Sequence, residues 1–232
     1  MRNNLPVLLL TLFFGVPLYS QISTSIVTAD SGQLQLKISN DSGKTITAYI
    51  CSLQETVAPA GRTVPASGER TMDSIASYGF KPVLPGETRI AATSPDAHAK
   101  FELLAAIFED GTTFGNPEMT AKIVSHRTHV LDALRAILPV LEKSKDQDFT
   151  TDTFQQQLSS ARDEALQKIT DPTAAAVLKG EYAALFRGIK LEARRSTGLQ
   201  EHLQYQQDVV KGMQEREQAL ARSKPSLAQA SQ

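Results

Sequence analysis

The sequence predicts an α+β chain: an antiparallel β-sandwich of immunoglobulin-like size, followed by an α-helical bundle or stacked helical hairpins. Three observations carry this. Residues 101–108, FELLAAIF, are apolar on both alternation faces, with Phe101, Leu103, Ala105 and Ile107 on one and Leu104, Ala106 and Phe108 on the other. Such a run reads as a strand covered on both sides. Asp110-Gly111 then offers a tight hairpin turn, with Thr112, Thr113 and Phe114 as a short return strand. Finally, the apolar period changes from two to between three and four at Asn116-Pro117, which places a hinge between a β half and an α half.

Before the β half, Arg2 and the free amine precede a fourteen-residue apolar run at 5–18, followed by Tyr19-Ser20-Gln21. That is the layout of a cleavable signal peptide over residues 1–20, with Ser20 as the small residue before the cut. As a helix the run would span about 21 Å, short of a hydrocarbon core of about 30 Å, and Pro6 and Pro17 weaken it further. The reading is therefore export, to the periplasm or beyond, with no stable membrane span after processing.

Within residues 21–115 the strands are read in turn. Residues 22–28 are rich in β-branched side chains and make a first, edge-type strand, ended by Asp30-Ser31-Gly32. In 33–39, Leu34, Leu36 and Ile38 alternate with polar residues, the pattern of a half-buried strand. Asn40-Asp41-Ser42-Gly43 is read as a polar turn that closes a hairpin with a strand at 45–53. Residues 54–70, rich in Pro, Gly, Ser and Ala, are read as a long connection with a mobile tip and a short strand near 62–64. Further strands are expected at 74–80 and 88–92, separated by the turn Leu84-Pro85-Gly86.

The series Ile38-Ser39-Asn40, Ser42-Gly43-Lys44 and Ile46, then Leu84-Pro85-Gly86-Glu87, then Ala106-Ile107-Phe108-Glu109-Asp110-Gly111 and Gly115, resembles a class of uncharacterised exported bacterial proteins. The resemblance covers about half of the chain and rests on turn and core residues. It implies a small sandwich followed by helices and export, and brings no activity with it.

Residues 116–223 are read as the helical domain and 224–232 as a disordered tail. Asn116 can cap a helix that Pro117 opens, with Met119, Ile123, Val130, Leu134, Ile137 and Leu141 on one face. Pro139 is expected to kink or end it. A second helix carries Phe154, Leu158, Ala161, Ala165 and Ile169. Asp171-Pro172 opens a third with Leu178, Tyr182, Leu185 and Ile189, in which Gly180 and Gly188 either admit a close neighbour or weaken the helix. A fourth carries Leu199, Leu203, Val210, Met213 and Leu220. Its face is broken by Gln206 and Glu217, so it is expected to be the least protected helix, either serving as a docking surface or fraying as terminal elements do.

For function, charge excludes one class. Residues 21–115 hold seven basic and ten acidic residues, and 116–232 hold sixteen and fifteen, so no polybasic stripe exists to neutralise phosphates. With tryptophan absent and tyrosines scattered, nucleic acid is not an expected partner. The single Cys51 permits no internal disulfide and reads as a small strand residue, inert when buried. His126 and His129, three apart with Asp132 beyond, are the only metal candidates; a third ligand is not fixed by the sequence, so they are read as ordinary surface or interface histidines. Asp146, Asp148 and Asp152 lack the glycine and terminal glutamate of an EF-hand loop and read as helix-capping residues. Asn40-Asp41-Ser42 is a glycosylation sequon only in a eukaryotic secretory host. The reading is a non-catalytic exported binding or structural module of a bacterial envelope, with no cofactor, meeting another envelope protein through its helices. The alternative is an exported enzyme or metal-binding protein with a site near His126 and His129 between the two halves.

Overall fold

The computed structural model describes residues 22–57, 64–77, 79–195 and 198–223. The leader at 1–20, the loop tip at 58–63 and the tail at 224–232, all read from the sequence above, lie outside the described residues. Seven strands precede four helices: β1 (Ile22–Thr28), β2 (Leu34–Asn40), β3 (Ile46–Val57), β4 (Val64–Asp73), β5 (Thr88–Ser94), β6 (Lys100–Phe108), β7 (Thr113–Gly115), α1 (Pro117–Lys143), α2 (Asp152–Gln167), α3 (Pro172–Arg195) and α4 (Leu199–Arg222). The strands form two antiparallel sheets, one of three strands ordered β1-β2-β5 and one of four ordered β4-β3-β6-β7. Among the described residues, no helix is long and apolar enough to cross a membrane.

Strand β6 is interior to its sheet and covered on both faces, as its sequence demands. Ala106 and Phe108 join Leu36, Ile38, Ala92 and Cys51 in a cluster drawn from both sheets. Ile107, 0% exposed, turns the other way onto Ala48, Ile50 and Ile123 of α1. Full burial of one such side chain contributes roughly 1.5–3 kcal/mol. The β6–β7 hairpin closes at Gly111 (φ 81), whose N–H donates to the carbonyl of Phe108 at 3.0 Å. At Gly115 (φ 87) a Cβ would lie 2.3 Å from the carbonyl oxygen of Leu104, so only glycine lets the chain turn here into α1. Asn116 then caps α1, its Oδ1 accepting from the N–H groups of Glu118 (2.8 Å) and Met119.

Four sequence expectations are overturned. First, β2 and β3 do not form a hairpin: β2 pairs with β1 and β5, while β3 pairs with β4 and β6. The buried Asn40 side chain holds this crossing between sheets, its Nδ2 donating to the carbonyls of Lys44 (2.7 Å) and Val83 (2.9 Å). Its Oδ1 accepts from Ser42, so the amide is fully engaged. Second, residues 54–57 and 64–70 are not a loose connection but the outer parts of β3 and β4. Because β4 is an edge strand with mostly exposed side chains, it tolerates Pro65 and Gly68 and shows no apolar alternation. Third, the stretch after Asp73 is a turn and not a strand: Asp73 Oδ1 accepts from the N–H groups of Ile75 (2.9 Å) and Ala76 (3.0 Å). Fourth, the two faces expected for residues 101–108 do not run unbroken through β6: Phe101 and Leu103 pack with Ala106 and Phe108, and Leu104 with Ile107, because the register with β3 shifts between Ile50 and Cys51. Of the two outcomes expected at Pro139, α1 does not end there but runs on to Lys143. Proline removes one N–H from the ladder, and the neighbouring buried residues Ile137, Leu138 and Leu141 hold the last turns in place by packing.

The helices share one core. Leu134, Ile137 and Leu141 of α1 meet Phe154 and Leu158 of α2, Leu178, Tyr182 and Ile189 of α3, and Met213 and Leu220 of α4. Phe149, in the α1–α2 connection, stacks on Phe154 with ring centroids 4.1 Å apart. The two glycines of α3 differ. A Cβ on Gly188 would sit 2.5 Å from the Tyr205 hydroxyl of α4, so this glycine admits a close neighbour, whereas Gly180 has nothing nearby and only weakens its helix. Ala76 and Ile75, from the turn after β4, belong to this helical core too.

Candidate functional site

The densest polar chemistry lies where the turn after β4 meets α1, α3 and α4. Arg127 of α1, 4% exposed, is bidentate to Asp73, 0% exposed, with Nε–Oδ2 at 2.7 Å and Nη2–Oδ1 at 3.2 Å. Its Nη2 also donates to Thr47 Oγ1 at 3.0 Å. Beside it Arg216 of α4 pairs with Glu181 of α3 at 2.6 Å and 2.9 Å and donates to the carbonyls of Ile75 (3.1 Å) and Ala76. Every charge here has an opposite partner, and Asp73, Arg127 and Arg216 each make further hydrogen bonds, as buried charges require. The sequence pattern carried a signal for these residues that hydrophobic reading passed over: Arg127 interrupts the stripe Ile123, Val130, Leu134, and Glu181 adjoins Leu178 and Tyr182 on the buried side of α3.

His126 borders this network. Burial pulls its imidazole below the ordinary value; Asp73 and Glu181 act to raise it, and His129 and Arg216 add to the lowering. His129 takes a different place. Its Nε2 lies 3.3 Å from Asp171 Oδ2, and its buried Nδ1 has no hydrogen-bond partner among the described residues. With Asp132, Glu164 and Lys168 it rims a cleft of about 430 Å³ between α1, α2 and α3, floored by Ala133, Ala161 and Leu178. The cleft exists because the facing positions of α1 and α2 are largely alanine. His126 is not part of its lining, so the two histidines do not converge on one cavity. Among the described residues, no group of three or more His, Cys, Asp or Glu side chains is placed to hold a metal ion.

Other candidates resolve into structure. Asp148 accepts from Thr150 through both its N–H (2.8 Å) and Oγ1 (2.7 Å) and lies 3.4 Å from His202 Nδ1. Burial acts to raise its carboxyl, but these hydrogen bonds outweigh it and hold the group below the ordinary value. Asp152 stands in the first turn of α2, which Thr151 caps. Cys51 is 0% exposed, and burial pushes its thiol up, away from the reactive thiolate. The sequon Asn40 is likewise 0% exposed, its amide committed to backbone carbonyls.

On α4 the two polar interruptions both find places within the fold. Glu217 meets Arg135 of α1 at 3.0 Å, and Gln206, 3% exposed, donates to the carbonyl of Gln147. Met213 and Leu220 are buried, Val210 is half-buried and Leu203 is exposed. A groove of about 520 Å³ runs between α3 and α4 past Gly188, Tyr205 and Gly212, with Leu191 exposed at its side. Compared with known proteins, the chain matches no family model, no curated protein and no solved structure.

Proposed function

We propose that the chain is a non-catalytic, exported module of a bacterial envelope, in which an immunoglobulin-like β-sandwich supports a helical bundle that meets another envelope protein. The observation that carries it is the outer flank of α4: its inner residues Met213 and Leu220 are spent on the core, yet apolar depressions remain open on either side of it. A core drawn from both sheets and the crossing from β2 to β3 support the sandwich. The leader-like residues 1–20 and the resemblance to exported bacterial proteins support the location. Expression of the whole chain in a bacterial host, fractionation and intact-mass measurement test export, with a mature start near Gln21 expected; retention of residues 2–20 sinks it. Capture from envelope extract on the immobilised mature chain tests the partner.

The cleft beside His129 favours a second reading, an exported small-molecule-binding protein or enzyme using that cavity. Elemental analysis of the purified protein separates the metal form of this reading: a bound transition metal at one per chain, lost in His129→Leu, establishes it, and metal-free protein removes it.

A further inference from the structure

The interruptions in the apolar stripe of α4 are not equally satisfied. Glu217 is matched by Arg135, but Gln206 has only one end of its amide engaged: Nε2 donates to the Gln147 carbonyl, while the buried Oε1 has no partner among the described residues. That oxygen is closed off from solvent, so it belongs to the wall and is not a contact for an occupant. Gln206 is part of the wall of a pocket of about 230 Å³. Phe149 lies within that wall, Val210 is half-buried beside it and Leu203, 37% exposed, lies at its lip. Lys145 and Lys211 complete it, and among the described residues no Asp or Glu lines it. Lys145 has no ion-pair partner among the described residues, and Lys211 has only the exposed Glu215 at 3.9 Å. The volume is below the roughly 300–1,000 Å³ of small-molecule sites and suits a single bulky apolar side chain.

Resting on the reading that the helical region docks a protein, we infer that this pocket receives an extended acidic peptide segment of the partner. One apolar side chain enters between Phe149, Leu203 and Val210, and flanking carboxylates meet Lys145 and Lys211. The chemistry selects the occupant. An apolar surface alone would accept any greasy segment, whereas Lys145, with no ion-pair partner among the described residues, and Lys211, with only its long exposed contact to Glu215, favour acidic flanks and repel basic ones.

The test uses the purified mature chain and a fluorescein-labelled, blocked pentapeptide with leucine flanked by aspartate and glutamate. Saturable binding is expected by anisotropy, weakened about tenfold or more when the peptide leucine becomes alanine, a difference of about 1.4 kcal/mol. The double variant Lys145→Glu/Lys211→Glu, with both positions exposed, should keep its circular dichroism and lose binding by at least tenfold. Equal binding of a lysine-flanked peptide, indifference to the double variant, or no saturation overturns the assignment. Envelope capture with parent and double variant separates the two levels: capture that survives the charge reversal overturns this pocket while leaving an envelope partner standing. Peptide binding without any envelope capture keeps the pocket and removes the envelope partner.

Discussion

At the residue scale, the most consequential side chain is Arg127, because it is charged, 4% exposed and bonded to a carboxylate on a different half of the chain. Removing one member of a buried pair leaves the other uncompensated, at a cost of about 3–5 kcal/mol. Arg127→Met is therefore expected to lower stability by that much in urea melts. Lys122→Met, which removes an exposed pair with Glu69 at 3.1 Å, should change it by no more than about 0.5 kcal/mol. Equal effects would contradict the burial argument. His126 makes the second residue-level prediction. Its folded value lies below 6.5, so as pH falls through about 6.5 the unfolded chain takes up a proton before the folded one does. Stability owed to this group is intact above that pH and falls away below it. Asp73 and Glu181 temper the lowering, while His129 and Arg216 reinforce it. Stability against pH should accordingly show a shallower acid-side fall in His126→Gln than in the parent; identical slopes would remove His126 as a contributor.

At the element scale, the helices were legible because one apolar period governs each of them, and the structure keeps every helical element near the place its spacing requires. Strand β6 was legible as a covered strand but not in its faces, because the shift in its register with β3 turns Leu103 to the side of Ala106 and Phe108. What could not be read was pairing. β2 and β3 each alternate as hairpin strands do, and nothing in that alternation says that they belong to different sheets. The decision rests on one polar side chain whose partners, Lys44 and Val83, are brought together only by the fold. Edge strand β4 was hidden for the opposite reason: exposed on most of its length, it has no apolar period to read. The site was less legible still. His126 and His129 were visible by spacing, but that His129 and not His126 lines the cleft depends on α2 and α3, and the Asp73–Arg127 pair spans the β and α halves. If Asn40 holds the crossing, Asn40→Ala leaves two carbonyls without their donor and should cost about 2 kcal/mol or more. Asp41→Ala, at the exposed neighbour, should stay within about 0.5 kcal/mol. Denaturant midpoints compare them, and a harmless Asn40→Ala would return the turn to an ordinary loop.

At the scale of the whole molecule, the question is whether the β and α halves unfold separately. A chain with two small cores joined at a hinge would show two transitions, but three features tie these cores together. Helix α1 is shared lengthwise, its Ile123 packed on Ala48, Ile50 and Ile107 while Leu134, Ile137 and Leu141 lie in the helical core. The turn after β4 gives Ala76 to that helical core and two carbonyls to Arg216. Asp73 and Arg127 then close the junction from both sides. Loss of either half strips α1 of part of its apolar cover and exposes one member of a buried ion pair, so each half raises the cost of unfolding the other. Urea unfolding should therefore be one transition, with coincident curves from far-ultraviolet circular dichroism and from tryptophans introduced singly as Phe114→Trp on β7 and Phe149→Trp beside α2. Ile107→Asp, which puts a charge between the second sheet and α1, should move both reporters to lower urea together. Two resolved transitions in the parent, or a shift of the Phe114 reporter alone in Ile107→Asp, would show that the shared helix transmits nothing between them.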